Sequence, residues 1–220
     1  MPWRSASAAA FVLALLLAAP AAAAGCDTSG TAMPPPRIAL VPLWGAVRHD
    51  NSRTTREITT LFASRAHAVD SGVRADQVAR GVTASTFTYA IELELRARTQ
   101  EDGRACVWPS GATLKVGFRD FTVYIARRYR PGSCAYGAVL AHEKGHIEID
   151  RAALRRHLDE MRRALELSLG RRFPLLADDL PGAKRAALRA VRADMQPAFE
   201  ALAAERRRGN AAHDSAESYR

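Results

Sequence analysis

Read for its alternation of apolar and polar positions, the chain is strand-like in its first half and helix-like in its second. From Val82 to Thr99, Phe87, Tyr89, Ile91, Leu93 and Leu95 share one parity, while Glu92, Glu94, Arg96 and Arg98 take the other. This period of two predicts a long strand with one wet face, and so an antiparallel sheet there. Asp102-Gly103 predicts a hairpin turn. Leu114, Val116 and Phe118 resume the alternation, and Phe121, Val123 and Ile125 continue it in opposite phase, which places a turn or bulge at Arg119-Asp120. Upstream, 37–44 reads as a short strand that Pro42 restricts to an edge or bend. Thr54-Thr55-Arg56-Glu57 reads as a capping box opening a short helix through Ile58, Leu61 and Phe62.

Beyond Pro131-Gly132, Ser133 can cap a long helix from Ala135 to about Leu169. Its apolar positions include Val139, Ile149, Leu154, Leu158, Met161 and Leu165, and Gly170 is expected to stop it. A loop with Pro174 and Pro181 leads to a second helix carrying Leu188, Val191, Met195, Phe199 and Leu202 on one stripe, with a kink expected at Pro197. Strands followed by helices predict an α+β domain: an N-terminal antiparallel sheet region, a long helix and a second C-terminal helix. The expected organisation is a removable segment at 1–25, a Pro-rich tether at 26–36, a single domain at 37–208 and a polar tail at 209–220.

The first segment is expected to be a secretory signal peptide. Arg4 precedes the apolar run 8–17, Pro20 breaks it, and Ala21 to Gly25 offer a small-residue cleavage site. The run is too short for a membrane span of about 20 residues. Two processing routes fit. Ala22-Ala23-Ala24 suits an ordinary signal peptidase, whereas Ala23-Ala24-Gly25-Cys26 resembles a lipoprotein box, apart from Ala23 where that group usually has Leu. Lipidation of Cys26 would make the chain a membrane-tethered lipoprotein of the periplasm or cell envelope. With 3 cysteines in the chain, this would leave Cys106 and Cys134 to form a disulfide in an oxidising compartment.

His142-Glu143-Lys144-Gly145-His146 is an HExxH motif inside the predicted long helix. Histidines four apart share one helix face, so both imidazoles can reach one ion. Zn2+ accepts neutral imidazole nitrogen and leaves room for water, and Glu143 can then serve as general base and return the proton to a leaving amine. Gly145 is unusual mid-helix, where glycine costs about 1 kcal/mol relative to alanine, and close passage of a strand or substrate would explain it.

A β-rich half followed by an HExxH helix and another helix resembles zincin-type metallopeptidases. The stretch 132–150 is also similar to secreted bacterial proteins described as zinc-dependent peptidases. The resemblance implies that His142 and His146 bind metal, that Glu143 is catalytic, and that the substrate is a peptide or protein. It is sharp only around the motif. The third ligand departs from the established patterns, since Ala152 stands where metzincins place a histidine. Asp150 lies about 6 Å further along the helix axis than His146, which suits it to orient His146 rather than bind the ion. His157, about 16 Å along, is too far. Asp194, Glu200 and the pair His213-Asp214 remain, with Asp214 taken as the third ligand. The alternative is a non-catalytic, degenerate zincin-like envelope lipoprotein acting as a scaffold or binding module.

Net charge is +9, from 32 Lys+Arg against 23 Asp+Glu. Export and the lack of an aromatic-interleaved basic motif argue against nucleic acid as a partner. The arginines at 151, 155, 156, 162 and 163 are expected to form a solvated face paired with Asp159, Glu160 and Glu166.

Overall fold

A computed structural model of the chain describes Cys26, residues 33–69 and residues 78–214. The signal-peptide reading of 1–25 lies outside the described residues, as do 27–32 of the tether. Three long strands, β1 (Arg37–Asp50), β2 (Gly81–Thr99) and β3 (Ala105–Ile125), form a sheet in the order β1-β3-β2, and short β4 (Leu175–Ala177) pairs with the start of β3. Helix α1 (Thr55–Val69) joins β1 to β2, and α2 (Cys134–Arg172) and α3 (Leu180–His213) follow. The architecture is therefore mixed α+β, with an N-terminal sheet and C-terminal helices.

The sheet is not wholly antiparallel as expected. β2 and β3 pair antiparallel, but β1 runs parallel to β3 over Arg37↔Gly111 through Asp50↔Tyr124. Alternation in 82–99 reports one wet face and carries no information about the direction of β1. The phase change in β3 is a bulge: Ser85 pairs with Phe121 and Phe87 with Phe118, so Thr86 faces both Arg119 and Asp120. β3 remains one strand across it. The capping box forms, with Glu57 N–H donating to Thr54 Oγ1 and Thr54 N–H to Glu57 Oε2.

One face of the sheet meets both long helices. Leu114, Val116, Phe118, Phe121 and Val123 pack there with Leu154, Met161 and Leu165 of α2 and Val191, Met195 and Leu202 of α3. These side chains are essentially sealed from solvent, and each is worth roughly 1.5–3 kcal/mol of burial. Phe87 meets Phe118 and Phe199 edge-on, tying β2 to α3.

Ser133 caps α2 by accepting from Tyr136 N–H. The helix runs through Gly170 to Arg172 and ends where Phe173 N–H returns to the Leu169 carbonyl ahead of Pro174. α3 begins at an Asp179 cap, includes Pro197 within its length and continues to His213. The residues 209–213 that read as polar tail are therefore its closing turns.

The cysteine pairing differs from expectation. Cys26 is bonded to Cys106, at a Cα–Cα distance of 5.2 Å, and Cys134 is a free, exposed thiol. Cys106 pairs with Leu176 of β4, just past the C-terminus of α2, whereas Cys134 opens that helix. At 1.5 Å per residue this 39-residue helix is about 58 Å long, so the two cysteines lie toward its opposite ends. A Cys26 sulfur in that disulfide cannot also carry a lipid thioether, which corrects the lipidation reading. No helix among the described residues is long and apolar enough to cross a membrane.

The arginines of α2 also depart from expectation. Arg151 donates to the carbonyls of Trp44 and Gly45, Arg162 to that of Ile38, and Arg155 lies over the Trp44 ring. Arg156 pairs with Glu205 of α3. Arg151 and Arg162 thus tie β1 to α2 and Arg156 ties α3 to it, while Arg155, Arg156 and Arg163 stay exposed, so part of the expected solvated face is present.

Candidate metal centre

The site forms where the first half of α2 crosses the end of α3. His142 and His146, one turn apart, have ring centroids 5.0 Å apart at a near-perpendicular angle. His213, on the last turn of α3, stacks on His142 at 4.4 Å and meets His146 edge-on at 4.8 Å. One nitrogen from each of these three half-buried histidines lies within 4.8 Å of the others, a spacing that could hold a metal ion. His213 Nε2 lies 2.9 Å from the His142 carbonyl. Since a carbonyl only accepts, Nε2 carries a proton, which leaves Nδ1 as the nitrogen that can present a lone pair.

Gly145 makes this possible. A Cβ at that position would lie 2.5 Å from Cε1 of His213 and closer still to Nε2. One helical turn along α2 from Gly145, Ile149 presents Cγ2 where a Cβ on Gly209 would meet it at 2.7 Å. Glycine at both places lets α2 and α3 approach closely enough for an α3 imidazole to join the α2 pair. The sequence anticipated a close neighbour at Gly145; the structure supplies a side chain rather than a strand.

Asp214 caps α3, its N–H bonding to the Asn210 carbonyl at 2.9 Å. Its Oδ1 is 3.1 Å from Nε2 of both His142 and His146. Burial works against its charge, but hydrogen bonds from the two rings outweigh this and hold the carboxyl well below the ordinary range. Burial likewise disfavours a charged His146, yet the hydrogen bond and charge of Asp214, with help from Asn210, push it up to about 9.

Glu143 is 4% exposed and faces β2. Its Oε2 accepts from Thr83 Oγ1 at 2.8 Å, and that hydroxyl also lies 2.9 Å from the Glu143 carbonyl. A Cβ on Gly81 would come within 2.7 Å of Oε1, so glycine there leaves the carboxylate its place. Burial raises the Glu143 pKa, opposed by the nearby His146 and by Thr83.

Asp150 does not touch His146 directly. It is gripped by Arg206 through both oxygens at 2.8 and 2.7 Å and accepts from Ser85 and from Asn210 Nδ2. Asn210 Oδ1 in turn accepts from His146 Nδ1 at 2.7 Å. Asp150 therefore fixes the Asn210 amide, whose oxygen is presented to the histidine (the Nδ2 donor being committed to Asp150), and Nε2 of His146 faces the site.

His142, Glu143, His146, His213 and Asp214 are thus brought together, with Asp150 one residue removed. Asp194 is elsewhere, held by Ser168 and Arg172. His157 is also elsewhere, between Glu160 and Glu205. Sequence reasoning missed Thr83, Arg206 and Asn210. Arg206 was hidden in the run Arg206-Arg207-Arg208, and Asn210 lay in what read as a tail.

Fold and site together define a mixed α+β domain bearing a histidine-rich cluster at a helix crossing. No family model, curated protein or solved structure matches the chain.

Proposed function

We propose that the chain is an exported zinc-dependent metallopeptidase of zincin-like type. The observation that carries this reading is the gathering of the His142, His146 and His213 nitrogens within 4.8 Å, beside a buried carboxylate on the residue that follows His142. The donor set fits the ion: three imidazoles with a carboxylate alongside suit Zn2+, and the absence of a Cβ at Gly145 accommodates the third ring. The Cys26–Cys106 disulfide supports an oxidising, exported location.

Zinc bound there would supply Lewis acidity, polarising a carbonyl and bringing a water toward a pKa of about 7. The chain's own part falls first to Glu143. Thr83 holds its Oε2, leaving Oε1 to take a proton from the attacking water and return it to the leaving amine. Its burial raises the proton affinity toward working pH, as a general base needs. Asn210 keeps Nδ1 of His146 protonated so that Nε2 is the nitrogen turned to the ion. The substrate is a peptide or protein. The non-catalytic alternative draws on one observation, the Asp214 carboxylate lying against both α2 histidines.

The test is metal analysis with a peptide-hydrolysis assay on the wild type and Glu143→Ala. About one zinc per chain in both, with new N-termini generated by the wild type alone, is expected. Undiminished hydrolysis by Glu143→Ala would overturn the proposal.

A further inference from the structure

A set of three imidazoles leaves one position of a tetrahedral ion for water or substrate, and that open position separates catalytic from structural zinc sites. Here a fourth donor is already in place. Two ligands on one tetrahedral zinc with bonds near 2.05 Å stand about 3.3 Å apart, and Asp214 Oδ1 is 3.1 Å from Nε2 of His142 and of His146. It occupies the side of both rings on which their shared ion would sit. The two elements of the C-terminal pair are restrained differently. His213 is stacked on His142 and bonded to its carbonyl. The Asp214 side chain has the two rings as its partners, is 34% exposed, and belongs to the cap of α3, where helices open at little cost.

We infer that Asp214 is a built-in closing ligand: it takes the coordination position that water or a peptide carbonyl needs, and the site opens when the α3 cap turns that carboxylate aside. This rests on the reading that His142, His146 and His213 hold the ion. It makes the end of α3 a regulator of the site and explains how an HExxH cluster can carry four protein donors while remaining capable of catalysis. A carboxylate oxygen 3.1 Å from both Nε2 atoms is attracted to a divalent cation held between them, so loading with metal does not by itself release it.

The experiment uses the full chain loaded with Co2+ and titrated with acetohydroxamate, following the visible absorption bands of the cobalt, with Asp214→Asn and Asp214→Ala alongside and circular dichroism as a check on folding. About one cobalt per chain is expected in all three. Acetohydroxamate should leave the wild-type spectrum nearly unchanged and bind both variants at least about tenfold more tightly, since apparent affinity scales with the open fraction. Equal acetohydroxamate affinity in the wild type and both variants would overturn the inference. Loss of cobalt from Asp214→Ala with retention in His213→Ala would also overturn it, because Asp214 would then be one of three obligatory ligands. Failure of the folded wild type to bind cobalt would refute the underlying metal reading, and the inference with it.

Discussion

Gly145→Ala should separate stability from metal binding, because the two respond to the new methyl in opposite ways. In a helix interior alanine is favoured over glycine by about 1 kcal/mol. Against this, the methyl would lie 2.5 Å from Cε1 of His213 and 3.3 Å from Cδ2, so the ring must leave. Its departure forfeits the hydrogen bond to the His142 carbonyl, about 1 kcal/mol, and the stacking on His142, about 0.5–1.5 kcal/mol. The balance is a net loss of about 0.5–1.5 kcal/mol, or a few degrees in Tm for a domain of this size. Zinc affinity has no offsetting gain. Removing a partner that merely orients a ligand costs about 10–100-fold, and losing the third imidazole should exceed the upper end of that range. The assays are a competitive zinc titration against a chromophoric chelator and thermal melts of the metal-free protein. The cycle closes with His213→Ala, in whose background Gly145→Ala should stabilise by about 1 kcal/mol and leave zinc affinity alone. Wild-type zinc affinity in Gly145→Ala, or effects of the two substitutions that simply add, would refute the account of the crossing.

Asn210→Leu should weaken zinc binding about 10–100-fold while Asn210→Gln restores part of it, measured by the same titration; unchanged affinity in Asn210→Leu would sink the role given to this amide. In EDTA-treated protein, His146 is held at about 9 against about 6.5 unfolded. Its contribution to stability is therefore fully present below about pH 6.5 and lost as pH rises through about 9. Melts from pH 6 to 10 should show this fall in Tm in the wild type and a flatter profile in Asp214→Asn, and equal slopes would contradict the pairing.

What could be read from the sequence was the part governed by local periodicity. The alternation of Phe87 to Leu95, the bulge at Arg119-Asp120 and the Thr54/Glu57 box depend on neighbours within a few residues, and each appears where its pattern placed it. Gly170 did not stop α2 because it stands near the surface with nothing within 4 Å of a Cβ, leaving only a modest helix penalty. Pro174, which cannot continue the helix hydrogen bonding, sets the limit instead. The Cys106–Cys134 pairing failed for a geometric reason: counting cysteines gives no hint that α2 carries its two ends tens of ångströms apart.

The candidate site divides along the same line. His142 and His146 are neighbours by helix pitch alone, so their approach is written within five consecutive residues. The third imidazole comes from 67 residues beyond His146, and its arrival depends on where α3 crosses α2. That crossing is encoded diffusely, in the apolar stripe of Val191, Met195 and Leu202, in the Asp150–Arg206 ion pair and in the two glycines. None of these is a ligand, and each has an ordinary packing role when read alone. Gly145 was the one local sign that something must come close, since a helix that gives up about 1 kcal/mol in its middle needs a compensating contact. The sequence could register the need for that contact but not its source, because the residue that fills the space belongs to the far end of another helix. Recognising HExxH therefore identifies two donors and a carboxylate, whereas deciding whether the centre is open or closed requires the geometry of α3 and, above all, the place of Asp214.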